Sequence, residues 1–74
     1  MKLYQFENCP YCQRVRLVLE ARGIEYEKVE VPTERDDRTE LFEISGQYMV
    51  PVLVDGERVI SDSEAIVAYL YEKY

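Results

Sequence analysis

The chain has 74 residues with 15 acidic and 9 basic side chains, two cysteines and no histidine, for a formal net charge of -6. That charge opposes nucleic acid and anionic membranes as partners. A chain this short hides roughly 60% of its unfolded surface, enough for one domain over residues 1–74 but not for a deep substrate cavity.

Lys2-Leu3-Tyr4-Gln5-Phe6 is short, aromatic and apolar, and predicts a first strand. A helix is expected from Pro10 to about Arg22, with Val15, Val18 and Leu19 at helical spacing and Gly23 as its stop. Ile24 to Val31 mixes apolar and charged residues in the manner of an edge strand, ended by Pro32. Thr33 is placed to cap a second helix through about Ile44, with Leu41 and Ile44 inward, the charged run 34–40 in water and Ser45-Gly46 at its close. Pro51 to Val54 and Glu57 to Ile60, joined by Asp55-Gly56, predict an antiparallel hairpin with a type I′ turn. Ser61 with Glu64 three residues on predicts a capping box for a last helix whose apolar face includes Ile66, Tyr69 and Leu70.

The order strand, helix, strand, helix, strand, strand, helix makes the first two strands parallel through a crossover and adds an antiparallel pair. This is an α/β chain of thioredoxin-like architecture, with a four-stranded mixed sheet flanked by helices.

The chemistry-bearing motif is Cys9-Pro10-Tyr11-Cys12, at the junction of the first strand and helix. Thiol exchange needs a thiolate, and a free cysteine is only a few per cent ionised near neutral pH. At a helix start, unpaired N–H groups and the positive end of the dipole favour the anion. Cys9 is therefore the expected nucleophile. Cys12, one turn on and on the same face, is expected to be less exposed and to resolve the mixed disulfide. A zinc site normally takes four Cys or His ligands, so no complete metal site is expected within one chain. The plainer alternative, two small core residues, accounts less well for the Pro-Tyr insert at that junction.

Val50-Pro51 precedes a strand, where a proline costs a ladder hydrogen bond. It is either a simple strand-start proline or a cis bond that turns the Val50 backbone toward an extended ligand. Asp62-Ser63 can simply cap the last helix, or can also hold a ligand's ammonium and carboxylate. Tyr11, between the cysteines, is expected in the wall of a groove. Arg14, Arg16 and Arg22 follow the motif, and residues 1–31 balance five positive against five negative charges while 32–74 carry four against ten. An anionic thiol is thus expected to approach the first part of the chain.

Three segments taken together resemble a glutaredoxin: Cys9-Pro10-Tyr11-Cys12, Gly46-Gln47-Tyr48-Met49-Val50-Pro51, and Ser61-Asp62-Ser63-Glu64-Ala65-Ile66. The closing segment is also similar to the N-terminal domain of glutathione transferases. The resemblance implies glutathione as co-substrate, with no permanently bound cofactor. It implies a cis Pro51, backbone pairing of Val50 with the cysteinyl part of glutathione, Asp62 and Ser63 at its γ-glutamyl group, and Tyr11 beside the tripeptide. Two positions depart from the family's usual pattern. Phe6 stands where many members have a lysine for the glycyl carboxylate, and Met49 stands where threonine is usual; Arg14 and Arg38 are the cations available in that lysine's place.

The leading expectation is a thiol-disulfide oxidoreductase acting on client protein disulfides or glutathione mixed disulfides. The alternatives are a glutathione- or iron-sulfur-binding module without redox turnover, and a docking domain. No run approaches the roughly 20 apolar residues of a membrane span and no leader is evident. Two cysteines are few for a secreted scaffold. The expectation is a cytoplasmic monomer that meets no membrane.

Overall fold

The computed structural model describes residues 1–74, apart from the side chain at 35. Its strands are β1 (Lys2–Gln5), β2 (Glu27–Glu30), β3 (Val52–Asp55) and β4 (Arg58–Ser61), and its helices α1 (Pro10–Ala21), α2 (Thr39–Ser45) and α3 (Ser63–Lys73). The sheet order is β2-β1-β3-β4. β1 runs parallel to β2 and antiparallel to β3, and β3 pairs antiparallel with β4.

Alternation along β1 and β3 sends side chains to two covers. Leu3 lies opposite Leu53 and Tyr4 opposite Val52. Leu3 and Leu53 face α1 and α3, packing with Val15, Leu19, Ile66 and Leu70. Tyr4 and Val52 face the other way, with Val31 and Leu41. Both central strands are therefore buried on both faces, while edge strand β2 carries Glu27, Lys28 and Glu30 into water, which discourages pairing with another chain.

Four boundaries differ from expectation, each for a local reason. β2 starts at Glu27 because Ile24 completes the stop of α1. Its N–H donates to Leu19 O at 2.9 Å, and the Gly23 N–H donates to Glu20 O at 3.1 Å, the two bonds of a Schellman motif. Gly23 supplies the left-handed residue, with φ 67°.

The second helix begins at Thr39, after a 3₁₀ turn over Arg35–Asp37, so Thr33 does not cap it. Arg38 takes the preceding loop instead, donating to Pro32 O at 2.8 Å, Thr33 O at 3.1 Å and Tyr48 O at 2.8 Å. The hairpin turn is one residue later than expected. Asp55 pairs with Arg58, which leaves Gly56-Glu57 as the two-residue loop. Only Gly56 (φ 62°) has positive φ there, the pattern of type II′ rather than I′. Asp55 is held in the strand by its carboxylate, which accepts from Tyr69 Oη at 2.5 Å and Tyr74 Oη at 3.0 Å and lies 3.5 Å from Lys73 Nζ.

Finally, Ser61 ends β4, and Asp62 is the N-cap of α3. Its carboxylate accepts the Ala65 N–H at 3.4 Å. The Ser61–Glu64 capping box is replaced by this simpler cap.

Candidate functional site

Cys9 is the N-cap of α1, preceded by a turn in which its N–H donates to Phe6 O at 3.2 Å. Pro10 fits the first helical position, where a missing N–H costs nothing. The Cys12 N–H donates to Cys9 Sγ at 3.4 Å, so a helix-start N–H does point at this sulfur. Both cysteines are free thiols. Cys9 keeps 7% exposure and Cys12 keeps none. Burial, followed by its hydrogen bond with the Cys9 side chain, pushes the Cys12 thiol up to about 12.

Tyr11, Val50, Pro51, Asp62 and Ser63 line a single cavity of about 330 Å³. Three separate parts of the chain thus converge: the first turn of α1, the approach to β3 and the start of α3. Cys9 and Cys12 are not among the lining residues; the cavity wall begins at Tyr11, in the same helical turn. Val50-Pro51 is cis. Among the described residues the Val50 N–H and C=O have no hydrogen-bond partner. Asp62 holds φ 75°, a left-handed value that costs a non-glycine residue on the order of 1–3 kcal/mol. Ser63 is 4% exposed.

Two lining residues, Gln47 and Met49, carried no expected role. Their sequence signal is membership of the Gly46–Pro51 segment, in which Met49 departs from the usual threonine.

The arginines behave differently from expectation. Arg16 is buried in the β1–α1 junction, where it donates to Gln5 Oε1, to Phe6 O at 3.5 Å and to Glu7 O at 3.1 Å. Arg14 lies 3.9 Å from Glu64, and Arg22 sits 4.4 Å over the Tyr71 ring. With Arg38 spent on three carbonyls, none of these four lines the cavity. Among the described residues no group of three or more His, Cys, Asp or Glu side chains could hold a metal ion, and no helix is long and apolar enough to cross a membrane.

A β2-β1-β3-β4 mixed sheet with helices on both faces, a cysteine at the start of α1 and a cis proline ahead of β3 define a protein of the thioredoxin-like fold class. Within that class the sequence model of the glutathione S-transferase N-terminal domain matches residues 3–74, and the chain belongs to this family. It is 43% identical over 76 residues to the zeta-class glutathione S-transferase of Euphorbia esula, covering 100% of this chain and 34% of that protein. It is also 30% identical over 74 residues to an uncharacterized glutaredoxin-like 8.6 kDa protein in the rubredoxin operon of Clostridium pasteurianum, covering 99% of each. Among solved structures, glutathione S-transferase 1-6 from Anopheles dirus species B superposes with a TM-score of 0.92 at 32% identity, over 100% of this chain and 36% of that one. The chain spans about a third of the length of the transferases it matches.

Proposed function

We propose that the chain is a glutathione-dependent thiol-disulfide oxidoreductase, with Cys9 as nucleophile and Cys12 as resolving thiol. The observation that carries this reading is the Cys12 N–H directed at Cys9 Sγ at the start of α1. A donor fixed there needs no reorganisation when negative charge develops on the sulfur during exchange. Cys9 retains some exposure and Cys12 none, so an incoming disulfide meets Cys9 first.

In the first step the Cys9 thiolate attacks one sulfur of a client disulfide. A Cys9–client bond forms, the client's S–S bond breaks, and the departing thiolate takes a proton. The Cys12 thiol, held protonated by its burial, then gives up its proton as it attacks the Cys9 sulfur. The Cys9–Cys12 bond forms, the second client thiol leaves, and the dithiol has lost the two electrons that the client gained. Two glutathione thiols reverse this oxidation and leave as glutathione disulfide. On a glutathione mixed disulfide, Cys9 alone suffices: it takes the glutathione sulfur, frees the client thiol and is released by a second glutathione.

The cavity supplies the positioning. The free Val50 backbone groups pair with the cysteinyl backbone of glutathione. The Asp62 carboxylate accepts from the γ-glutamyl ammonium, and Ser63 with the α3 N-terminus donates to the γ-glutamyl carboxylate. Tyr11 flanks the tripeptide. The same reading makes the protein a monomer of a reducing, cytoplasmic compartment.

The test is release of glutathione from a glutathionylated peptide, followed by chromatography. Cys9→Ser abolishes it, while Cys12→Ser retains deglutathionylation and loses reduction of intramolecular client disulfides. Activity of Cys9→Ser equal to the parent refutes the assignment.

A second reading is favoured by the family membership and by the 7% exposure of Cys9: a glutathione-holding domain of a transferase, without redox turnover. It predicts glutathione binding by calorimetry that Cys9→Ser leaves intact, with no disulfide reduction by either protein. A cluster-binding version adds visible absorbance and iron after anaerobic purification.

A further inference from the structure

Arg16 is a buried charge without a buried counter-charge. It is 7% exposed, and its hydrogen bonds go to neutral acceptors: Gln5 Oε1, Phe6 O at 3.5 Å and Glu7 O at 3.1 Å. Among the described residues its only ion-pair contact is the Glu7 carboxylate, 3.9 Å away and 60% exposed, where water and Lys28, 3.2 Å from that carboxylate, weaken the attraction. Glu30, the other carboxylate of this network, accepts from Gln5 Nε2 at 3.1 Å and from the Glu7 N–H at 3.4 Å. Sinking a cation among neutral groups is costly. The group that gains from it here is the Cys12 thiol.

Arg16 lies one turn after Cys12 on α1, so the two share a face, and helical side chains lean toward the N-terminus, which carries the guanidinium back to the turn before Cys9. Cys12 is fully buried. Burial raises its thiol most, followed by the hydrogen bond with the Cys9 side chain; the Phe6 backbone N–H lowers it, the Cys9 charge raises it and the Arg16 charge lowers it. Once Cys9 is bound in a mixed disulfide its charge is gone. The Phe6 N–H and Arg16 are then the two groups that favour a Cys12 anion, and Arg16 holds Phe6 in place from both sides, through Gln5 Oε1 and through Phe6 O.

We infer that Arg16 is a positioning residue for the second half of the exchange: it steadies the Phe6 backbone beside Cys12 and lends its charge to the thiolate that Cys12 becomes as it attacks Cys9. The inference rests on the thiol-exchange reading above and assigns its resolving step a further residue. In that step the Cys12 thiol gives up its proton and the Cys9–Cys12 bond forms. The bond from Cys9 to the captured sulfur breaks, and the departing thiolate takes up the proton. The first step is not expected to need Arg16, because Phe6 O also accepts the Cys9 N–H at 3.2 Å and the turn keeps that bond without it.

The experiment is a single turnover of reduced protein with a glutathionylated peptide and no free glutathione, quenched with acid and read by mass spectrometry. Formation of the Cys9–glutathione adduct reports the first step, and its decay to the Cys9–Cys12 disulfide reports the second. Cys12→Ser, in which the adduct persists, sets the floor. Arg16→Met is expected to form the adduct as the parent does and to lose it about tenfold more slowly, the effect of removing one close opposite charge. With the Cys12 thiol pushed up to about 12, decay quickens about tenfold per pH unit between about pH 6 and 9, so the variant reaches the parent's rate about one unit higher. Arg16→Lys, which keeps the charge, is expected to recover most of the decay rate. Gln5→Leu combined with Arg16→Met strands no Gln5 oxygen, so it separates charge from stability and carries the test if the single variant does not fold; its decay is expected to be about tenfold slower than the parent's. Decay as fast as the parent's in the double variant, equal slowing of both steps in Arg16→Met, or an Arg16→Lys as slow as Arg16→Met overturns the inference and leaves the oxidoreductase standing. Consumption of the glutathionylated peptide by the parent no faster than by Cys9→Ser overturns the oxidoreductase reading and this one with it.

Discussion

Replacing Arg16 by methionine would remove one guanidinium and leave Gln5 Oε1 and Glu7 O without their donor, while Phe6 O keeps the Cys9 N–H at 3.2 Å. Gln5 Oε1 is the costly one, because Gln5 is fully buried and no water can take the donor's place. An orphaned buried acceptor costs about 1–3 kcal/mol. Glu7 O is part-buried and can partly rehydrate, adding about 0.5–1 kcal/mol. The contact with the Glu7 carboxylate, 3.9 Å long and with Glu7 60% exposed, adds almost nothing. The expected loss is about 1.5–4 kcal/mol. At about 0.05–0.15 kcal/mol per residue, a chain of 74 residues has roughly 4–11 kcal/mol in total. The assay is urea unfolding followed by circular dichroism, on Arg16→Met, Gln5→Leu and the double variant. If the stranded Gln5 oxygen dominates, the double variant recovers about 1–2 kcal/mol relative to Arg16→Met alone. A single variant that loses less than about 1 kcal/mol, or a double variant less stable than Arg16→Met, refutes the reasoning.

Asp55 is held below the usual carboxylate range by the hydrogen bond from Tyr69, then by those from Tyr74 and by Lys73. A depressed carboxylate stabilises the fold above its unfolded value near 3.9 and loses that contribution as pH falls through the lower folded value. The parent should therefore lose stability on acidification more steeply than Asp55→Asn, as read by thermal unfolding at stepwise lower pH; parallel curves would exclude the effect. Asp62→Gly should hold or gain about 0.5–1 kcal/mol, because glycine relieves the positive φ and costs only a few tenths as a cap, yet it should raise the KM for glutathione. A loss above 1 kcal/mol, or an unchanged KM, would contradict this. In the reduced protein, iodoacetamide followed by mass spectrometry should modify Cys9 first and leave Cys12 unmodified between pH 6 and 9 until urea is added, since Cys12 is fully buried with its thiol pushed up to about 12.

Features written in short-range chemistry were readable from the chain. Pro10 and Gly23 bracket α1 around Val15 and Leu19, and the sheet order follows from one crossover and one hairpin. The five residues assigned to ligand contact line one cavity because each belongs to a turn or helix start with its own local signature. What escaped the reading depends on partners distant in sequence. The hairpin turn moved by one residue because Tyr69 and Tyr74, 14 and 19 positions away, bind the Asp55 carboxylate. The Arg38 bonds to Pro32 and Tyr48 take the region where Thr33 was expected to begin a helix. Arg16 and Gln5 look like surface residues until their mutual bond lets both be buried. Gln47 and Met49 reach the cavity only through the packing of the loop ahead of β3.

The three carbonyl bonds of Arg38 turn the stretch from Pro32 to Tyr48 into a noose drawn tight by one side chain. Slackening it at either end would free Met49 and Val50 together, so a disturbance near Thr33, remote from the cysteines in sequence, would be felt at the rim of the cavity. Deuterium uptake across α2 and across that rim should then rise in step when Arg38 is shortened to alanine, two stretches opening as a single flap.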